Sequence, residues 1–142
     1  MDFTLDKVQV WSAEIQDRAG GAASILGPLA EAGANLEFIL SRRLPHRTGM
    51  GELYVAPITG PQQTRAAHAV NLHHANDMVL LRIRGTDRPG VGHHLAATLA
   101  QAGLNLRSLT MSAIDNRFVA YVACEKLEDT ARAVQALAAL KV

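Results

Sequence analysis

Asp87-Arg88-Pro89-Gly90, followed by Ala102-Gly103-Leu104-Asn105-Leu106, decides how the 142-residue chain is read, because both stretches occur twice. Asp17-Arg18-Ala19-Gly20 lies 87 − 17 = 70 residues before the first, and Ala32-Gly33-Ala34-Asn35-Leu36 lies 102 − 32 = 70 residues before the second. Two short motifs that share one offset mark an internal duplication, and a fixed period is the signature of a repeated supersecondary unit. Tyr54-Val55-Ala56 returns as Tyr121-Val122-Ala123 at 121 − 54 = 67, so the first copy carries three extra residues, placed most simply in the loop around Pro45 to Met50.

Superimposing the copies predicts one β-α-β-β-α order in each. First strands are expected over residues 7–15 and 78–84; in the second, Val79, Leu81 and Ile83 alternate with Leu80, Arg82 and Arg84, the period of a half-buried strand. Helices follow over about 21–32 and 91–102, where Ile25, Leu29 and Ala32 match Leu95, Leu99 and Ala102 on one face. Asp17 and Asp87 stand where an N-cap would satisfy free amides, Pro89 suits a first turn, and Gly33 and Gly103 suit helix ends. Second strands are expected over 36–43 and 106–113, third strands over 52–58 and 118–124, and second helices over 61–72 and 127–140. The turns between the paired strands are His46-Arg47-Thr48-Gly49 and Asp115-Asn116-Arg117.

This order is the split β-α-β arrangement of an α+β fold: two tandem ferredoxin-like units, 1–76 and 77–142, each with an antiparallel sheet and its helices on one face. Only Asn71 to Asp77 separates the second helix of the first copy from the next strand, so the fourth strands are expected to be short or absent. Sheet edges left open in this way invite pairing with another chain, and a symmetric homodimer is expected.

Composition narrows the function. With 49% hydrophobic and 19% charged residues the chain has material for packed cores and no signature of disorder. A net charge of +1 with scattered basic residues lacks the stripe that neutralises several phosphates, which argues against direct nucleic-acid binding. No apolar run approaches the ~20 residues needed to span a bilayer, and the N-terminal stretch does not read as a signal peptide, so the cytoplasm is the expected compartment. The single Cys124 sits in an apolar run and reads as a small buried hydrophobe. The serines lack a nucleophile elbow, and Gly85-x-x-x-x-Gly90 is followed by Val91 where a phosphate-binding loop needs Lys, so no enzyme activity and no cofactor are expected.

The order of elements, with Asp-Arg-Pro-Gly at the first turn and Ala-Gly-Leu-Asn-Leu at the second strand, resembles the ACT domain. The likeness covers nearly the whole chain as two tandem domains, with Ala19 replacing the proline in the first copy. ACT domains are ligand-sensing units, usually for amino acids, and stand-alone tandem pairs resemble the repressor-type accessory class of the glycine cleavage system. The resemblance implies ligand contacts at Asp17, Arg18, Gly20 and Asn35, and at Asp87, Arg88, Gly90, Val91 and Asn105. Such sites form between the turn of one domain and the second strand of its neighbour, and the signal passes to a metabolic enzyme or transcriptional regulator. Ile15 and Gly85 stand where serine-binding members carry histidine.

The residue chemistry points the same way without the resemblance. A zwitterionic amino acid needs an anion site and a cation site close together. Free N–H groups at a helix N-terminus, approached over glycines, supply the first, and an Asp carboxylate supplies the second. Pro89 preorganises the second turn, which is therefore expected to be the stronger site. Two alternatives stand beside this: an accessory subunit with an empty ligand site, and a metal-responsive ACT-like regulator using some of His46, His68, His73, His74, His93 and His94. The histidine spacings do not line up on one helical face, which favours surface or interface roles and no metal.

Overall fold

The computed structural model describes residues 3–140, which divide into two contact units: Gln9–Ala75, and residues 3–8 together with 76–140. The N-terminal copy contributes β1 (Phe3–Gln16), α1 (Ala23–Glu31), β2 (Phe38–Arg43), β3 (Met50–Ala56) and α2 (Gly60–Ala69). The C-terminal copy contributes β4 (His73–Thr86), α3 (Val91–Gln101), β5 (Leu106–Ile114), β6 (Arg117–Cys124), a short 3-10 turn (Leu127–Asp129) and α4 (Thr130–Ala138).

Each unit is a ferredoxin-like α+β unit with an antiparallel hairpin at its centre. In the unit 9–75, β3 pairs antiparallel with β1 and β2. In the other, β6 pairs antiparallel with β4 and β5. The fourth strand of each is short and is not a separate element. His73–Ala75, the first residues of β4, belong with 9–75, and residues 3–8 of β1 lie beside β4 in the C-terminal unit. The first strands therefore begin earlier than the expected 7 and 78, because each 14-residue strand serves one core with its first part and another with the rest.

Both cores lie between sheet and helices. In the unit 9–75, Trp11, Ala13 and Ile15 of β1 and Leu53 and Val55 of β3 pack against Ile25 and Leu29 of α1, with Ala67 and Leu72. In the C-terminal unit, Leu81 and Ile83 join Phe118, Ala120 and Val122 beneath Val91, Leu95, Leu99, Ala133 and Leu137, and Phe3 and Leu5 pack against this cluster. Removal of a leucine such as Leu99 from water contributes about 2 kcal/mol.

The helix ends differ from expectation on one side only. α1 begins after Ala22 and α3 after Gly90, and neither has a side-chain cap. Asp17 and Asp87 therefore do not cap their helices, and Pro89 precedes the first turn of α3 instead of lying within it. The left-handed Gly90 (φ +88°) turns the chain into the helix by backbone geometry alone. At the other end both glycines act as expected. Gly103 N–H donates to Ala100 O at 2.9 Å and Leu104 N–H to Leu99 O at 3.1 Å; Gly33 and Ala34 repeat the pattern onto Ala30 and Leu29, both at 3.0 Å. This Schellman closure satisfies the last carbonyls and buries Leu104 on Leu99. Among the described residues no helix is long and apolar enough to cross a membrane.

Candidate functional site

The turn between β1 and α1 is pinned by its backbone. Asp17 N–H donates to Gly49 O at 2.9 Å, tying the turn to the β2–β3 hairpin, and Gly21 N–H donates to Arg18 O at 3.0 Å. Gly20 takes φ +85°, which brings its carbonyl within 3.0 Å of the Ser24 N–H in the first turn of α1. A cleft of about 260 Å³ opens beside this turn, lined by Gln16, Asp17, Arg18 and Ala22 on one side and Ser41, Arg42 and Arg43 of β2 on the other. The Asp17 carboxylate is already engaged there, 2.8 Å from Arg43 Nε.

Arg42 is held differently. Its guanidinium lies 3.3 Å from Glu52 and 3.4 Å from the Tyr54 hydroxyl, which itself donates to Glu52. Burial first, and then the hydrogen bond and charge of Glu52, push the Tyr54 phenol above its ordinary range, with Arg42 opposing. A raised folded-state value means that Tyr54 keeps its proton where the unfolded chain would lose it. Its stabilisation is full below the ordinary tyrosine range and is lost as pH rises through the folded-state value. Stability should therefore fall with rising pH across that window, and Glu52→Gln should shrink the dependence. A phenol absorbance titration, taken as a difference against Tyr54→Phe, checks this: Tyr54 should ionise at lower pH once Glu52 is neutral.

The second turn repeats the anchor and changes the surroundings. Asp87 N–H donates to Asn116 O at 2.8 Å, again onto the neighbouring hairpin, and His94 N–H donates to Gly90 O at 2.9 Å. Val91 is buried in the core and its N–H reaches Arg88 O at 3.3 Å, so its side chain faces away from any ligand at the turn. Two residues outside the sequence motifs crowd this helix start. His94 Nε2 lies 3.5 Å from where a Cβ on Gly90 would stand, and Met111 Sδ lies 3.4 Å from the same point on Gly92. Their first-copy counterparts, at offset 70, are Ser24 and Ser41. His94 stood in plain view beside the motif, but Met111 is brought there only by the register of β5, which the motif does not report.

Asn35 and Asn105 stand at the far ends of their helices from the two aspartates. α3 has 11 residues and so spans about 16 Å, beyond the reach of one amino acid. Within one unit, then, Asp87 and Asn105 are not brought together, nor are Asp17 and Asn35. Asn105 donates through Nδ2 to Glu125 at 2.8 Å, and Glu125 N–H donates back to Asn105 O at 2.9 Å, which fastens the start of β5 to the end of β6. Among the described residues no three His, Cys, Asp or Glu side chains gather as a metal would require.

The duplicated turn, its glycine-led helix and the split β-α-β sheet define an amino-acid-sensor type of fold, and the comparisons agree. Residues 77–140 match the family model of the ACT domain, and this part of the chain is an ACT domain. Among solved structures, the chain is similar to the ligand-free regulatory subunit of aspartate kinase from Thermus thermophilus, with 20% identity, a TM-score of 0.64, and coverage of 95% of this chain and 93% of that one. A protein from Bacteroides thetaiotaomicron is similar with 14% identity and a TM-score of 0.73, over 95% and 88% of the two chains. Aspartate kinase from Synechocystis is similar with 22% identity and a TM-score of 0.59, over 99% of this chain but 27% of the enzyme. These likenesses establish the fold across both copies. No curated protein matches by sequence.

Proposed function

We propose that the protein is a non-catalytic regulatory module of the cytoplasm that binds a small amino acid at its strand–helix turns and passes the signal to a partner enzyme or transcriptional regulator. The observation that carries this reading is the Asp17–Arg43 pair in the cleft at the first turn. A zwitterion inserted between these side chains gives each of the four charges a partner: its ammonium meets Asp17, and its carboxylate meets Arg43. Charge-assisted hydrogen bonds of this kind are the strong ones.

The distant asparagines fit a site completed by a neighbouring unit. Ile39 and Leu109, equivalent at offset 70, sit on the edge strands β2 and β5 and are 51% and 42% exposed. Both pair with core valines, Val55 and Val122, and so lie on the helix side of their sheets. An apolar row on an open edge is the surface on which a second copy would dock, bringing its own β2 or β5 against the turn. A homodimer would then both cover the edges and complete the sites, and ligand bound at the boundary would favour one arrangement of the copies over another.

Calorimetric titration with the twenty amino acids tests this. One of them should bind below the millimolar range, and Asp17→Ala or Asp87→Ala should weaken it about tenfold or more with little change in unfolding midpoint. The Asp17–Arg43 pair also favours a second reading, an accessory subunit whose site is closed by its own side chains. If no amino acid binds and the protein still dimerises in sedimentation, that second reading stands.

A further inference from the structure

The sheet face turned away from the core of the C-terminal unit holds a hollow of about 480 Å³, lined by Thr4, Arg84, Ser112, Ile114 and Arg117 with Val119. Register places these residues together. Arg84 and Ser112 both stand opposite Val119, and Ile114 stands opposite Arg117. Ile83, Phe118 and Ala120, their neighbours along the strands, belong to the core, so the lining row lies on the other face. Arg84 and Arg117 are diagonal across β4 and β6, about 7–8 Å apart at the backbone, and two guanidiniums at that spacing can converge on one ligand group.

The charges here are only partly answered. Asp6 lies 3.5 Å from Arg84 but is shared with Arg82 at 3.3 Å. Arg117 reaches only the neutral hydroxyl of Thr86, at 3.4 Å. Ile114 is 77% exposed at the rim, an apolar surface beside the cations.

The duplication indicates that the fold does not require this charge. The first-copy counterparts of Arg84 and Ser112, at offset 70, are Glu14 and Arg42; those of Arg117 and Val119, at offset 67, are Met50 and Glu52. There Glu14 and Glu52 stand directly opposite each other and are offset by Arg47 and Arg42. The same place on the same sheet is thus acidic in one copy and basic in the other.

We propose that the Arg84–Arg117 hollow is a second binding site, for a small organic oxyanion with an apolar body. The guanidiniums hold the oxyanion in charge-assisted hydrogen bonds, the Thr4 and Ser112 hydroxyls add donors, and Ile114 covers the carbon skeleton. The site is separate from the strand–helix turns and does not depend on amino-acid sensing. Its volume falls in the range of metabolite pockets.

Titration of the isotope-labelled full chain with succinate, and separately with inorganic phosphate, followed by amide chemical shifts, tests the assignment. At least one probe should give saturable shifts at Arg84, Ser112, Ile114 and Arg117, while Glu14 and Glu52 stay still. Saturation by succinate alone assigns a carboxylate ligand, and saturation by phosphate alone a phosphoryl one. Arg84→Gln and Arg117→Gln should each weaken binding about tenfold or more. Asp6→Asn, which removes the competing carboxylate, should tighten it, and Asp17→Ala should leave it unchanged. If neither probe saturates, or if the shifts survive in the Arg84→Gln/Arg117→Gln variant, the site does not exist.

Discussion

Replacing Phe3 and Leu5 by alanine is expected to loosen the far end of the sequence and spare the near one. Both side chains pack against the core built from Leu81, Ile83, Phe118 and Leu137, although they lie at the opposite end of the chain. Each is half-buried, so the double variant should lose roughly 3 kcal/mol, below the sum for two fully buried residues. It also deprives β4 of the strand beside it. Native-state hydrogen exchange reads the outcome by region. Protection should fall in β4–β6 and in α3–α4, while β3 and α1 keep theirs. Loss confined to residues 9–75 would show that the leading strand belongs with its sequence neighbours.

Gly21→Ala carries the second large effect. A Cβ at Gly21 would stand 2.3 Å from the Gln16 carbonyl oxygen and 3.2 Å from that of Arg18, both backbone atoms that cannot swing aside. Relieving the clash means rebuilding the turn that presents Asp17 and Arg18, at a cost of roughly 3 kcal/mol or more. Gly20, one residue earlier, meets nothing within 4 Å, and its alanine variant should cost only the strain of φ +85°, about 1–2 kcal/mol. Trp11, the sole tryptophan and 3% exposed, reports both by fluorescence during denaturant unfolding. The order Gly21→Ala worse than Gly20→Ala is the test; the reverse order would place the close approach elsewhere. The second copy has Val91 at this position (91 − 21 = 70), buried in its core, so transplanting the equivalent residue should do the most damage.

That contrast shows what repetition made legible and what it hid. The offset of 70 located both helices, their shared faces and their Gly33 and Gly103 closures, because those depend on local chemistry repeated in each copy. It could not show that the two turns are wound differently, since Gly21 and Val91 answer to backbone distances rather than to the motif. The leading residues of β1 were missed because their burial is set by a partner strand some seventy residues away. The cap assigned to Asp17 was displaced by Arg43, an ion pair 26 positions along the chain (43 − 17) that only the folded sheet assembles. Asn35 and Asn105 were found, yet their separation from the aspartates follows from helix length and not from residue type.

The leading strand also sets an order of events during synthesis. Phe3 and Leu5 leave the ribosome first, but β4 and β6 follow only after about seventy further residues have been made. Residues 9–75 can close around Leu29 and Leu53 in the meantime, while the strand in front of them waits with apolar side chains uncovered. Joining it to its sheet closes a long loop late, and long-range strand pairing of this kind is slow and exposed to wrong partners. A gene cut at the repeat boundary would therefore yield a C-terminal fragment lacking the strand that completes it, so neither half could have been exchanged freely as a spare part.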